Sequence, residues 1–142
     1  MRFIITASPD PNAPKTDPSH DPGLLAAYMK FNEEMHRAGV LIASEGLNPA
    51  AKGARIGVVG GRRVVLDGPF TETKELVGGF YLIKVASLDE AIAWALRCPT
   101  GFGADDLLSI HAMTDADDLP PEVLATIREA APTWSAAWSK AR

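Results

Sequence analysis

Apolar residues recur along the chain at two spacings, one typical of helices and one typical of strands. The helical spacing of three or four residues is clearest in one set: Leu24, Leu25, Tyr28, Phe31 and Met35. It predicts an amphipathic helix over about residues 22–38. Asp21-Pro22 favours a helix start here, because aspartate caps the first amides and proline fits the first turn.

Two further helices are predicted downstream. Ser87 and Glu90 have the spacing of a capping box, which predicts a helix over about 88–97. Its packing face is expected to consist of four residues: Leu88, Ile92, Ala95 and Leu96. A proline pair then begins a third helix at about 121–130.

Short runs rich in β-branched and aromatic residues predict six strands: 2–7, 40–44, 55–59, 62–67, 78–86 and 107–113. Gly60-Gly61 lies between two of these runs and is a signal for a two-residue hairpin turn. Residues 8–22 contain five prolines, which remove backbone donors and therefore predict a long loop.

The order of the predicted elements is β-α-β-β-β-β-α-β-α. Two β-α-β units with an inserted β-hairpin indicate an α+β fold, a ferredoxin-like sandwich with an antiparallel sheet. The helices would cover one sheet face, and a second copy is the expected cover for the other, so we expect a homodimer. Residues 116–142 would form a C-terminal helix and tail packed on the same domain. Trp134 and Trp138 would share one face of a helix in that tail.

Composition excludes several classes of function. The net charge is −4, and no cluster of lysine and arginine is present, so nucleic acid is not expected as a ligand. Cys98 is the only cysteine, which fits a reducing compartment and predicts a cytoplasmic protein. No apolar run approaches the length of a membrane span. The three histidines and the cysteine lack metal-ligand spacing, and no cofactor is expected.

Residues 67–81 carry the most specific string in the chain, DGPFTETKELVGGFY. It resembles the signature of the YCII-related (DGPF-domain) family. Residues 45–49 (EGLNP), residues 89–95 (DEAIAWA) and Cys98-Pro99 are also similar to that family. The resemblance covers about residues 1–115, which would form the domain, and it implies a dimeric α/β-barrel fold of ferredoxin-like topology.

The same resemblance implies two functional contexts. A histidine-aspartate pair in some YCII-related proteins suggests enzymatic activity, whereas DGPF-type members encoded near sigma factors suggest a regulatory protein partner. The chain departs from the family in its last strand. DGPF relatives usually end that strand with Glu-Val-Arg-Pro, and here His111 takes the place of the arginine. The proline-rich segment 9–22 is also longer than usual.

Asp67 and His111 are the candidate catalytic residues. A carboxylate at a strand end could act as a general acid or base in a cleft of the dimer. Asp67 could equally be a turn residue that accepts hydrogen bonds from loop amides. The alternation of the last strand predicts that Ser109 and His111 point away from the helices, where His111 could pair with Asp67 or bond within the interface.

Seven more residues are candidates for binding a ligand: Arg63, Pro69, Phe70, Glu72, Lys74, Glu75 and Ser109. Arg63 shares a strand face with Asp67, and Lys74 or Arg63 could hold an anion. The charged loop could also be a solvated surface with little energetic role. Two functions therefore stay open, an enzyme acting on a small molecule and a non-catalytic module that binds a ligand or a protein.

Overall fold

The structure, a computed structural model, describes residues 1–8, 21–47, 54–67, 77–99 and 106–140; for residues 67, 139 and 140 it describes the backbone alone. Within these ranges the chain forms six strands and four helices, in this order: β1 (Arg2–Ser8), α1 (Pro22–Arg37), β2 (Leu41–Gly46), β3 (Ala54–Val59), β4 (Arg62–Asp67), β5 (Gly79–Lys84), α2 (Leu88–Ala95), β6 (Leu107–Ala112), α3 (Pro121–Ala130) and α4 (Pro132–Lys140).

The predicted helix starts are confirmed by their capping contacts. The Asp21 carboxylate accepts hydrogen bonds from the amides of Gly23 and Leu24 at 2.9 and 3.1 Å. The Ser87 hydroxyl accepts from the Glu90 amide at 3.2 Å. The Glu90 carboxylate accepts in return from the Ala86 amide, at 2.9 Å. Side chains therefore bind one backbone amide before α2 and one in its first turn.

Four strands form one antiparallel sheet in the order β2-β5-β1-β6. Alternate residues of its central strands are buried beneath α1 and α2, namely Phe3, Ile5, Tyr81 and Ile83. Phe31 and Met35 of α1 join them in the same core, and Leu108 and Ile110 of β6 pack against it. The helices therefore cover one face of this sheet.

Helix α2 packs through a different set of residues from the predicted one. Ala91 and Ala95 are buried, and Trp94 packs against the core with its ring centroid 6.2 Å from that of Phe31. The predicted face also included three residues that are exposed: Leu88 (49%), Ile92 (39%) and Leu96 (82%). Apart from Ala95 the prediction was wrong, because the small alanines let the helix approach the sheet more closely than the larger aliphatic side chains would.

Strands β3 and β4 pair only with each other, as a two-stranded antiparallel sheet. Gly60 and Gly61 form their turn with φ of +57° and +76°, the left-handed conformation that glycine adopts without strain. This β3–β4 hairpin lies between β2 and β5 in the chain.

The C-terminal segment is attached to the start of β1 by an ion pair. The Arg2 guanidinium donates to the Asp115 carboxylate from Nε at 2.8 Å and from Nη2 at 2.6 Å. Both side chains are largely buried, with 12% and 24% exposed. Further along, the rings of Trp134 and Trp138 stack at 5.3 Å on α4. The predicted shared face is confirmed, although Trp134 is 57% exposed.

Candidate ligand-binding face

Helices α1 and α2 pack on one face of the four-stranded sheet, and we call the opposite face the open face. The strand register aligns its side chains in two rows that run across the sheet. The first row is Ala43, Leu82, Ile4 and His111, and the second is Glu45, Phe80, Thr6 and Ser109. All eight residues are half-buried or exposed. Among the described residues, each of these side chains therefore keeps part of its surface exposed.

The centre of the open face is apolar and its ends are polar. Ile4, Leu82 and Phe80 lie on the two central strands, with His111 and Ser109 at the β6 edge. Each row spans three strand spacings, about 14 Å, and the two rows lie about 7 Å apart along the strands. An apolar surface with a few polar groups at its margin is typical of sites for small organic molecules.

His111 is the one ionisable side chain of the first row, and it lies directly across from Ile4. It is exposed, and β6 is an edge strand of the sheet. An imidazole at this position can donate and accept a hydrogen bond, and it can transfer a proton to a molecule lying on the apolar centre. Ser109 pairs with Thr6 in the next row, so two hydroxyl groups lie beside the histidine row.

The predicted site residues fall on two separate sheets. His111 and Ser109 belong to β6, whereas Arg63 and Asp67 belong to β4. Arg63 pairs with Val58 and the Asp67 backbone pairs with Ala54, so both residues lie on one face of the hairpin. Within the described ranges no strand pairing joins this hairpin to the four-stranded sheet.

The remaining predicted residues belong to the charged loop after β4. Pro69, Phe70, Glu72, Lys74 and Glu75 lie outside the described residues. Their proposed roles stay predictions, together with the role of the Asp67 side chain. The same holds for the proline-rich loop as far as residue 20.

A buried polar pair, which was not among the predicted site residues, lies on the helix-covered side of the sheet. The Tyr81 hydroxyl and the Cys98 thiol share a hydrogen bond, and Tyr81 and Cys98 are 6% and 4% exposed. Burial, together with the neighbouring thiol, raises the pKa of Tyr81 far above its usual range. Tyr81 therefore stays protonated and cannot serve as a general base. Its inward position in the β5 alternation is the signal that could have predicted this burial.

The described part of the chain contains neither a metal-ligand cluster nor a membrane-spanning helix. No three of its histidine, cysteine, aspartate and glutamate side chains lie close enough together to hold a metal ion. None of its helices is long and apolar enough to cross a membrane. The described polar side chains of the open face are an imidazole, two hydroxyls and the carboxylate of Glu45 at the opposite edge.

Comparisons with known proteins add a family and two relatives. A family model described as the YCII-related domain matches residues 1–110. An uncharacterized protein of Rhizobium meliloti (strain 1021) is 48% identical over 72 residues, which are 51% of this chain and 55% of that relative, so the match spans about half of each. The solved 5-chloro-2-hydroxyhydroquinone dehydrochlorinase from Burkholderia phenoliruptrix, in complex with 2,5-dihydroxybenzoquinone, aligns over 84% of this chain and 100% of that chain. At 16% identity and a TM-score of 0.45, this likeness carries no inference about activity.

Proposed function

The chain belongs to the YCII-related family, and from that premise we propose that it binds a small, partly apolar organic molecule on the open face and transfers a proton to or from it through His111. The observation that carries this proposal is the first row of the open face. There the register aligns an imidazole with the apolar side chains of Ile4 and Leu82 on neighbouring strands.

The geometry supports proton transfer better than nucleophilic catalysis. The buried thiol of Cys98 lies under the helices, away from the open face. Ser109 and Thr6 carry hydroxyls, but each shares its row with apolar or acidic residues and has no histidine directly across from it. An imidazole beside an apolar surface acts as acid or base once a substrate is within hydrogen-bond distance.

A second copy of the chain would complete this site, because an open apolar sheet face excludes water only when it is covered. The strand order β2-β5-β1-β6 with all pairs antiparallel supports a ferredoxin-like core, and the β3–β4 hairpin would be its insertion. We therefore assign the protein to the dimeric α/β-barrel type. Residues 116–142 would be a C-terminal extension of the same domain, and the Arg2–Asp115 ion pair supports this.

Asp67 is the proposed acid-base partner of His111. Asp67 ends β4 and begins the signature string, so it would act on the ligand from the hairpin. The charged loop after it would supply contacts from Glu72, Lys74 and Glu75, with Pro69 and Phe70 shaping the entrance. A cytoplasmic location agrees with the free thiol of Cys98.

An alternative function is a non-catalytic module that binds a regulatory protein. The apolar residues exposed on the β3–β4 hairpin favour it, because such surfaces commonly mark protein contacts. The two functions differ in the fate of a small molecule bound to the protein. An enzyme converts the bound molecule, whereas a binding module releases it unchanged.

A thermal-shift screen against a broad metabolite set tests the proposed function. A ligand at 100 times its dissociation constant adds about 2.7 kcal/mol to the free energy of unfolding, a readily measured rise in Tm. The stabilisation should disappear in His111→Ala and persist in the matched control His36→Ala, whose exposed histidine lies on α1. Ligands that stabilise His111→Ala as well as the wild type would overturn the proposal. Incubation of each hit with the protein, followed by NMR of the small molecule, then separates turnover from binding alone.

A further inference from the structure

One face of the β3–β4 hairpin is apolar, and its aliphatic side chains are exposed in the described structure. The register pairs Ile56 with Val65 and Val58 with Arg63, which places these four side chains on one face. Its three aliphatic residues are largely exposed: Ile56 (70%), Val58 (69%) and Val65 (62%). We call these four residues the hairpin patch. A two-stranded hairpin is marginally stable in water unless one face packs against another surface.

We infer that the hairpin patch of a second copy lies on the open face, so that each site receives Arg63 from the partner subunit. This inference rests on the ligand site proposed above and extends it. Among the described residues the hairpin and the four-stranded sheet are not joined by strand pairing. The hairpin exposes three aliphatic side chains, and Ile4 and Leu82 of the open face are only half-buried. Two uncovered apolar surfaces on the same chain can cover each other in a two-fold dimer, where the contact is made twice.

Charge complementarity identifies the occupant as a second copy. Residues 54–67 contain three arginines and one acidic residue. The other residues of the chain contain 11 basic and 17 acidic side chains, so the hairpin is a basic element on an acidic protein. A basic hairpin is attracted to the acidic body of another copy, and this attraction orients the encounter.

The dimensions of the two surfaces are compatible. Each six-residue strand of the hairpin is about 20 Å long, and the open face is about 14 Å across its rows. Val58 and Arg63 lie near the turn, so this end of the hairpin would reach furthest over the neighbouring sheet. With the turn directed toward β6, the partner subunit's Arg63 comes to lie beside His111.

The presence of an arginine narrows the class of ligand. A guanidinium binds carboxylate and other planar anionic groups with two parallel hydrogen bonds, whereas the centre of the open face is apolar. The site would therefore take a small organic anion, with its apolar body on Ile4 and Leu82 and its anionic group on the guanidinium. His111 would then face the part of the molecule between these two ends.

A cross-linking experiment with two differently tagged chains tests the placement. One chain carries Val58→Cys and the other Leu82→Cys, and a short bis-maleimide is added to the mixture. Cys98 is buried and does not compete for the reagent. A cross-link between the two tags is expected. The control pairs Val58→Cys on one chain with Leu96→Cys on the other. Leu96 is exposed at the end of α2, on the other side of the sheet from the open face, so little cross-linked product is expected. Ile4→Cys replaces Leu82→Cys if that variant does not fold.

Absence of the cross-link with both Leu82→Cys and Ile4→Cys, or equal product with Leu96→Cys, would overturn the inference. Sedimentation gives a second test, because Ile56→Asp with Val65→Asp should halve the mass of the wild-type dimer while the helical circular dichroism signal stays unchanged. A double variant that remains dimeric also overturns it. Ligand binding that depends on His111 but not on the hairpin leaves the proposed function standing and the inference refuted. A specific cross-link without any ligand supports the hairpin placement and counts against the proposed function.

Discussion

The Tyr81–Cys98 pair predicts how the stability of the protein depends on alkaline pH. Burial raises the pKa of Tyr81 above its ordinary value of 10.0, so the folded protein holds this proton more tightly than the unfolded chain does. The resulting stabilisation is complete below about pH 10 and is lost as the pH rises further, by about 1.4 kcal/mol per pH unit. Tyr81→Phe cannot ionise and should not show this loss.

At neutral pH, where Tyr81 is protonated, the wild type should be more stable than Tyr81→Phe. Tyr81→Phe removes the hydrogen bond to Cys98 but keeps the ring, which packs edge-on against Phe31 with centroids 5.6 Å apart and an interplanar angle of 89°. Loss of the hydrogen bond should cost about 1 kcal/mol. The free energies of unfolding of the two proteins should therefore cross near pH 11, where the ionisation penalty of the wild type equals the cost of the lost hydrogen bond.

Urea unfolding of both proteins between pH 8 and about pH 11 measures this crossing. Parallel curves for wild type and Tyr81→Phe across the whole range would refute the reasoning, because they would mean that Tyr81 ionises equally easily in the folded and unfolded states.

Two further substitutions test the packing that positions the open face, each by denaturant unfolding beside a matched control. Gly79→Ala would place a Cβ 2.8 Å from the Glu45 carbonyl oxygen on the adjacent strand, and it should destabilise the protein by about 1–3 kcal/mol. Gly46→Ala meets nothing within 4 Å and should be nearly neutral, so equal effects of the two would contradict the β2–β5 register. Met35→Ala removes a fully buried side chain and should cost about 2–5 kcal/mol, whereas Met29→Ala, at a residue 52% exposed, should change stability by less than about 0.5 kcal/mol.

The elements with strong local signals could be predicted from the sequence. Asp21-Pro22 and the Ser87–Glu90 spacing located the starts of α1 and α2, because caps depend on a few adjacent residues. The alternation in the last strand correctly separated Leu108 and Ile110, which pack on the core, from Ser109 and His111. These inferences needed only local geometry.

Features that depend on tertiary packing were missed. The inward face of α2 was predicted from its largest aliphatic residues, whereas the structure buries the small Ala91 and exposes Leu96. The register shift between Leu41 and Ala43 in β2 had no signal in the alternation. The sheet to which β4 belongs also could not be predicted, since sharing a strand face with Asp67 says nothing about which sheet that strand joins.

The central claim, that the open face binds a small organic molecule, is tested most directly by a methyl NMR titration with the hits of the metabolite screen. Binding at the open face should shift the methyl signals of Ile4 and Leu82 and the ring signals of His111. The signals of Ile92 and Leu96 on α2, on the helical side of the sheet, should stay unchanged. Shifts confined to α2, or a saturable ligand that leaves Ile4, Leu82 and His111 unmoved, would contradict the account.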